Sequence, residues 1–198
     1  MKRSAILVSS IALLSNCDRP ASANERGAVR GVTPAAFIDS AMPAGEALRR
    51  FRAGLDSPAH LDGPAKRDEL VNRYLAAARA KDRAALQRLA IDRAEFGFLV
   101  FPQSRWSKPP YNQPPELEWL LLSQQSDASL SKLLRRAERM EFRGYACAKA
   151  PEQDGGLHYW PDCVVHVREG GRVRDVRLFG SIIELDGRFK FRDLKNDL

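Results

Sequence analysis

The stretch from Cys163 to Leu194, CVVHVREGGRVRDVRLFGSIIELDGRFKFRDL, decides the fold of this 198-residue chain. It contains two turn signals, Gly170-Gly171 and Asp186-Gly187, each between runs of β-branched, aromatic and alternating polar residues. Glycine adopts the positive φ angles of tight hairpin turns without a steric penalty. The stretch therefore predicts two β-hairpins that share a long bent strand, with Gly180 at the bend.

The Gly-Gly turn fixes the register of the first hairpin, because a two-residue loop determines which residues face each other. From the turn outward, the predicted pairs are Glu169 with Arg172, Val167 with Arg174, His166 with Asp175, and Val165 with Val176. Side chains alternate between the faces of a strand. We therefore expect His166 and Asp175 on the polar face and Cys163 on the apolar face.

The second turn admits two registers. A two-residue loop places Glu184 opposite Phe189, which sets an acid against an aromatic ring. A three-residue loop, Leu185-Asp186-Gly187, instead pairs Ile183 with Phe189 and Glu184 with Arg188, and it separates an apolar face from a polar one. We predict the three-residue loop.

The first 23 residues are typical of an export signal. Lys2 and Arg3 precede an apolar run, residues 5–14, that is too short to span a bilayer. Two processing sites stay open. The run Leu14-Ser15-Asn16-Cys17 resembles a lipobox, in which Cys17 is lipidated, and Ala21-Ser22-Ala23 fits cleavage after Ala23. The expected location is periplasmic, either as a soluble protein or as a lipoprotein attached to the membrane through Cys17.

Export also explains the cysteine content. Setting Cys17 aside leaves Cys147 and Cys163, an even pair in a chain bound for an oxidising compartment. Both fall at predicted strand positions, so we expect a structural disulfide, worth about 3 kcal/mol for a loop of about 15 residues. The chain has no C-x-x-C motif and its three histidines are scattered, so we predict no metal and no cofactor.

The net charge bears on partners. The formal charge of +7 becomes +5 when Lys2 and Arg3 leave with the signal, which is moderately basic and favours anionic surfaces. An exported chain without a recognisable nucleic-acid motif is not expected to bind nucleic acid. A basic stripe is predicted on the last helix, and we interpret it as a solvated face rather than a site for lipid or an acidic partner. Its members are Lys132, Arg135, Arg136 and Arg139.

The middle of the chain predicts helices. A linker with one short helix, 24–61, leads into a domain spanning 62–198. Apolar residues at helical spacing predict a helix over 65–80. Asp82 caps the next helix, and Asp92 with Glu95 forms an acidic capping box.

Beyond a proline-rich excursion over 102–115, two further helices are predicted. The first begins at Pro115 and the second is capped by Ser126. The first is expected to direct three leucines inward, Leu117, Leu120 and Leu121.

Helices followed by a strongly curved antiparallel sheet of four to five strands give an α+β fold class. The run Leu178-Phe179-Gly180-Ser181-Ile182-Ile183-Glu184-Leu185-Asp186-Gly187-Arg188-Phe189-Lys190-Phe191, with the ending Asn196-Asp197-Leu198, resembles the closing strands of exported bacterial proteins. The helix-then-sheet order over 65–198 is similar to the nuclear transport factor 2 superfamily, with its SnoaL-like and ketosteroid-isomerase-like cones. The resemblance implies a cone. It does not fix an activity, because that superfamily includes isomerases, cyclases, ligand-binding modules and interaction domains.

Two functions follow as expectations. The first is a non-catalytic envelope domain that binds a partner protein or a small apolar ligand between sheet and helices. The alternative is an acid–base enzyme of the isomerase or cyclase kind, in which Asp175 orients His166 for proton transfer, with Tyr159 as a further participant. The alternative requires His166 and Asp175 to line the deepest pocket. A homodimer through the exposed sheet face is also expected as a partner arrangement.

Overall fold

Helices come first in the described chain and strands follow. The computed structural model describes residues 42–198, so the predicted export signal, Cys17 and most of the linker lie outside the described residues. The helices are α1 (Ala44–Arg52), α2 (Arg67–Arg79), α3 (Arg83–Arg88), α4 (Arg93–Glu95) and α5 (Pro115–Arg136), with a π-helical turn at Phe96–Val100 and 3-10 turns at Arg105–Ser107 and Ala137–Arg139. The strands are β1 (Glu141–Ala146), β2 (Glu152–Asp154), β3 (Leu157–Trp160), β4 (Val164–Glu169), β5 (Arg172–Val176), β6 (Ile182–Leu185) and β7 (Arg188–Phe191).

The strands form two antiparallel sheets, of order β1-β4-β5 and β2-β3-β6-β7. The α+β class is therefore confirmed, whereas the single strongly curved sheet of four to five strands is replaced by two sheets. At Gly180, where a bend was predicted, the chain passes from the three-stranded sheet to the four-stranded sheet. A Cβ at Gly180 would lie 2.0 Å from the carboxylate of Asp193, so only glycine fits there. The Gly180 N–H donates to the carbonyl of Asp193 at 3.1 Å. The prediction that the hairpins share one long bent strand is wrong, because β5 and β6 are separate strands in different sheets.

The first hairpin has the predicted register. All four predicted pairs form between β4 and β5, including His166 opposite Asp175. Gly170 and Gly171 both have positive φ, at 58° and 79°, as a two-residue turn of this type requires.

The predicted register of the second hairpin is wrong. The turn is the two-residue loop Asp186-Gly187, with φ of 51° and 75°. Glu184 therefore faces Phe189, the pairing that the sequence analysis rejected. The same register sets Ile183 opposite Lys190.

The physical reason is that both faces of the four-stranded sheet are buried. The larger core covers one face and contains Tyr74, Trp160, Ile182 and Phe191. The smaller core covers the other face and contains Phe51, Phe96, Leu122, Leu157, Ile183 and Leu185. The prediction assumed that one face meets water. When both faces are covered, the alternation of apolar and polar residues no longer selects a register.

The observed register buries a lysine. The side chain of Lys190 is 4% exposed, and its Nζ donates to Oε2 of Glu95 at 2.8 Å. Glu95 is itself 2% exposed and also accepts the backbone N–H groups of Asp62 and Asp92. The predicted capping box between Asp92 and Glu95 is thereby confirmed. One carboxylate joins β7, the start of α4 and the loop before α2.

The last helix differs from its prediction. α5 is one continuous helix instead of two, and its buried face follows Leu122, Leu130 and Leu133. Because a single helix has a single phase, the three leucines predicted to point inward lie on the opposite face. Leu117, Leu120 and Leu121 are 46%, 49% and 44% exposed.

The other helices follow the sequence more closely. α2 occupies 67–79, within the predicted range, and the side chain of Asp82 accepts the N–H of Ala85 at 2.9 Å as the cap of α3. α1 contributes Phe51 to the smaller core. Of the predicted basic stripe, Arg136 is bound to Glu169. In residues 42–198, no helix combines the length and apolar character needed to cross a membrane.

The predicted disulfide is confirmed. Cys147 and Cys163 are bonded, with their Cα atoms 4.2 Å apart. Cys163 is fully buried in the larger core, on the apolar face predicted for it. The bond ties the segment that follows β1 to the residue that precedes β4, and so closes the loop of chain that carries β2 and β3.

Replacing Lys190 by methionine would leave the carboxylate of Glu95 buried without its cation. We expect the free energy of unfolding, measured by urea denaturation at neutral pH, to fall by about 3–5 kcal/mol. The exposed Lys195 is the matched control, and Lys195→Met should change stability by about 0.5 kcal/mol or less. A loss in Lys190→Met no larger than in the control would contradict the buried pair.

Candidate functional site

The predicted acid–base pair forms, but it forms at the surface. Nδ1 of His166 lies 2.6 Å from Oδ1 of Asp175, and the two side chains are 38% and 59% exposed. Arg168 and Val173, which share their face of the sheet, are exposed as well. Neither His166 nor Asp175 lines the cavities described below. The predicted hydrogen bond therefore forms, but none of these cavities adjoins it. The catalytic role of the pair stays a prediction.

A second histidine–carboxylate pair was missed by the sequence analysis. Nδ1 of His158 contacts Oε2 of Glu184 across β3 and β6. The other carboxylate oxygen of Glu184 accepts the N–H of Gly187 at 2.6 Å. Glu184 is thus held by its neighbouring strand and by the turn, which explains how an acid is accommodated opposite the ring of Phe189. Its contacts brace the hairpin.

A cavity of about 540 Å³ lies between α2, α3 and the loop before α2, and we call it the α2–α3 cavity. Small apolar side chains form much of its wall, because alanines occupy the positions where the two helices face each other. The apolar lining residues are Leu70, Ala76, Ala77, Ala80, Ala85 and Leu89. The charged lining residues are Asp62, Arg73, Asp82, Arg88 and Lys190.

The charged side chains of the α2–α3 cavity differ in whether they are already bound to other groups of the protein. Arg73 is paired with Glu69 on its own helix, and Asp82 is engaged as the cap of α3. Lys190 donates to Glu95, and its ammonium group carries more N–H donors than this bond uses. Arg88 is exposed and forms no ion pair within residues 42–198. The cavity therefore offers two cationic donors over an apolar wall.

A smaller cavity, of about 210 Å³, lies at one end of the four-stranded sheet, and we call it the sheet-end cleft. The register of the strands determines which residues form the bottom of this cleft. Glu152 lies opposite Tyr159 across β2 and β3, and the N–H of Arg192 donates to the carbonyl of Ser181 at 2.8 Å, next to the last β6–β7 pair. The 3-10 turn carrying Arg105 and Trp106 forms a wall, together with Gln153, Asp154 and Pro161.

Contacts within the sheet-end cleft fix its backbone while leaving charged groups available. The N–H of Arg105 donates to Oδ2 of Asp154 at 2.9 Å, and the guanidinium of Arg105 lies 5.2 Å from the ring centre of Trp106. Arg192 is paired with Glu118 of α5. Burial raises the pKa of Tyr159 to about 12, against the opposing effect of the nearby Arg192. Tyr159 therefore presents a neutral hydroxyl at physiological pH.

The sequence analysis named Tyr159 but did not find the rest of this cleft. The sequence pattern marks the segment that contains Arg105 and Trp106 only as a proline-rich excursion between helices, and it assigns no role to Arg192. The strand order β2-β3-β6-β7 brings these positions together, and that order was not predicted. A signal was present in the interleaved aromatic and basic residues of the excursion.

Two further observations concern metal binding and similarity to known proteins. Within residues 42–198, no group of three or more histidine, cysteine, aspartate or glutamate side chains is arranged to hold a metal ion. Comparison of the chain with protein-family models, curated proteins and solved structures found no match. The resemblance to the nuclear transport factor 2 superfamily therefore stays a prediction, and the function is argued from the cavities.

The buried phenol of Tyr159 predicts an alkaline dependence of stability. Its pKa of about 12 in the folded protein exceeds the value near 10 of a solvated tyrosine. Its contribution to stability is complete below about pH 10 and is lost as the pH rises toward 12, because the unfolded chain then binds fewer protons. We expect Tyr159→Phe to show a shallower fall in urea stability across that window. Identical slopes for the two proteins would contradict a buried phenol.

Proposed function

We propose that this chain is an exported, non-catalytic binding domain of the cell envelope, and that the α2–α3 cavity holds a small apolar molecule with one acidic group. The observation that carries the proposal is the pairing of an alanine-rich wall with two cations. Arg88 forms no ion pair within the described residues, and Lys190 has N–H donors beyond the one that binds Glu95. A binding domain needs a concave apolar surface and a few well-placed polar groups. The α2–α3 cavity supplies both.

The volume of the α2–α3 cavity favours it over the other cavities as the ligand site. Ligand sites commonly measure about 300–1,000 Å³, and the α2–α3 cavity measures about 540 Å³. Three other cavities are smaller: an open recess beside Trp160 at about 400 Å³, an apolar groove beside Trp119 at about 270 Å³, and the sheet-end cleft at about 210 Å³. An apolar body placed against Ala77, Ala80 and Ala85 would remove apolar area of both partners from water, which is the main favourable term in such binding.

Charge supports an acidic rather than a neutral ligand. Lys190 is held in place by Glu95, so its remaining donors are pre-oriented, and Arg88 can approach from the mouth of the cavity. Hydrogen bonds from such cations to a carboxylate are about twice as strong as neutral ones. Asp62 and Asp82 also line the cavity and oppose a ligand with several negative charges. One acidic group is therefore the best match.

The lining also favours binding over catalysis. The described residues of the α2–α3 cavity include no histidine, cysteine, serine or tyrosine. Of its two carboxylates, that of Asp82 is engaged as the cap of α3. Its one buried lysine is engaged by Glu95. The acid–base alternative rests on His166 and Asp175, and their exposed position gives it no enclosed site.

Location in the envelope rests on the predicted export signal and is supported by the disulfide between Cys147 and Cys163, since such bonds persist in oxidising compartments. The intact mass of the mature protein tests it. A mass increment of lipid on Cys17, or a chain that begins after Ala23, is the expected result. An unprocessed N-terminus in the producing cell would contradict export.

The binding proposal is tested by isothermal titration calorimetry of the mature protein with octanoate, a small apolar acid, and with octanol as its uncharged analogue. We expect octanoate to bind more tightly than octanol. Arg88→Gln should weaken octanoate binding by about tenfold or more, from the loss of a charged hydrogen bond. It should leave octanol binding unchanged.

A blocking substitution locates the site. Ala76→Phe adds a ring to the wall of the cavity from an exposed position on α2, so it should abolish octanoate binding while preserving the fold. Ala84→Phe is the matched control, because Ala84 is exposed on α3 and does not line the cavity. Absence of octanoate binding, or binding that both variants retain, would overturn the proposal.

A further inference from the structure

The sheet-end cleft carries charges of both signs that lie on different strands. The strand order β2-β3-β6-β7 places Glu152 at one side of the cleft and Arg192 at the other, with Tyr159 and Ser181 between them. Neighbouring strands are about 4.8 Å apart, so the backbones that carry Glu152 and Arg192 are about 14 Å apart. Two long side chains that reach inward across this distance leave room for one small molecule between their charged ends.

Several of these groups have unused hydrogen-bonding capacity. Within residues 42–198, the carboxylate of Glu152 and the guanidinium of Arg105 form no ion pair, and the hydroxyl of Tyr159 has no hydrogen-bond partner. The phenol is mostly buried and stays neutral in the physiological range, so it can donate. Arg192 binds Glu118 through one nitrogen and retains other N–H groups. The cleft is thus equipped to bind polar groups that the protein itself does not supply.

The presence of both positively and negatively charged side chains in the sheet-end cleft determines which kind of ligand suits it. A simple anion would be attracted by Arg105 and Arg192 but repelled by Glu152 and Asp154, and a simple cation would meet the reverse. A small zwitterion places its negative end toward the arginines and its positive end toward Glu152, so both interactions are favourable. The ring of Trp106 adds an apolar wall beside the charged groups.

We propose that the sheet-end cleft binds a free α-amino acid. Its carboxylate would accept hydrogen bonds from Arg105, Arg192 and the hydroxyl of Tyr159. Its ammonium group would donate to Glu152, and its side chain would pack against Trp106. A volume of about 210 Å³ accommodates one molecule of this size. The site is separate from the α2–α3 cavity and takes a different class of ligand, so it stands independently of the function proposed above.

Nuclear magnetic resonance of the ¹⁵N-labelled mature protein tests this inference. The probe is an equimolar mixture of the common amino acids at up to about 10 mM each, followed by each member alone. At least one amino acid is expected to shift the indole N–H of Trp106 and the side-chain N–H of Arg192 in a saturable way, and to leave the side-chain N–H of Arg88 in place. Acetate and methylamine, which carry only one of the two charges, should not reproduce these shifts at the same concentration.

Variants at exposed positions test the two charged ends. Glu152→Gln and Arg105→Gln should each raise the dissociation constant by about tenfold or more. Asp56→Asn and Arg139→Gln are matched controls, because both residues are exposed and lie outside the cleft, and they should leave it unchanged.

Three results would overturn the inference. The first is that no amino acid shifts the Trp106 resonance. The second is that acetate alone shifts it as strongly as the amino acid, which would show an anion site. The third is that Glu152→Gln binds as tightly as the wild type.

Discussion

The buried ion pair between Glu95 and Lys190 is the interaction on which the arrangement of this domain depends. Removing two charges from water is costly, and the cost is offset only when their remaining hydrogen-bonding groups are satisfied. Glu95 meets this condition by accepting from Lys190 and from the N–H groups of Asp62 and Asp92. The pair therefore links the second hairpin to α4 and to the loop before α2, three segments that are distant in the chain.

That link has consequences for the cavity beside it. The loop before α2 lies directly on β7, where Phe189 donates to the carbonyl of Pro64 at 2.9 Å and a Cβ on Gly63 would clash with the backbone oxygen of Phe189 at 2.0 Å. The same loop forms part of the wall of the α2–α3 cavity, and Lys190 reaches its lining. One buried pair thus fixes the register of β7 and supplies a charged group to the proposed ligand site.

The two sheets differ in what they leave exposed. The four-stranded sheet is covered on both faces by apolar cores, and polar groups from several of its strands gather at its end, where the sheet-end cleft lies. The three-stranded sheet packs one face against the larger core and presents His166 and Asp175 on the other. The recesses that can hold a ligand therefore flank the four-stranded sheet, while the most conspicuous pair of acid–base residues lies on the three-stranded one.

Local chemistry explains which features the sequence predicts. The Gly-Gly turn allows one register, and the capping box of Asp92 and Glu95 is a local motif. Once Cys17 is set aside, the two remaining cysteines have only each other as bonding partners. The predicted register of the second hairpin is wrong because the local pattern treats Lys190 as a solvent-facing residue. Its buried partner, Glu95, lies ninety-five positions away in the chain. The prediction that three leucines of α5 point inward is wrong because α5 is one continuous helix, and its single buried face runs through Leu122, Leu130 and Leu133. The two cavities required strand order and helix packing, which no local pattern specifies.

Lys190 is a buried, ion-paired lysine, and we propose that it also contacts a bound acid. Its ammonium resonance can be observed in the ¹⁵N-labelled mature protein, because a buried and hydrogen-bonded ammonium group exchanges its protons slowly with water. We expect one slowly exchanging lysine signal that is absent in Lys190→Arg and that shifts when octanoate saturates the protein. A spectrum without such a signal, or a signal that does not move while octanoate is bound, would contradict it.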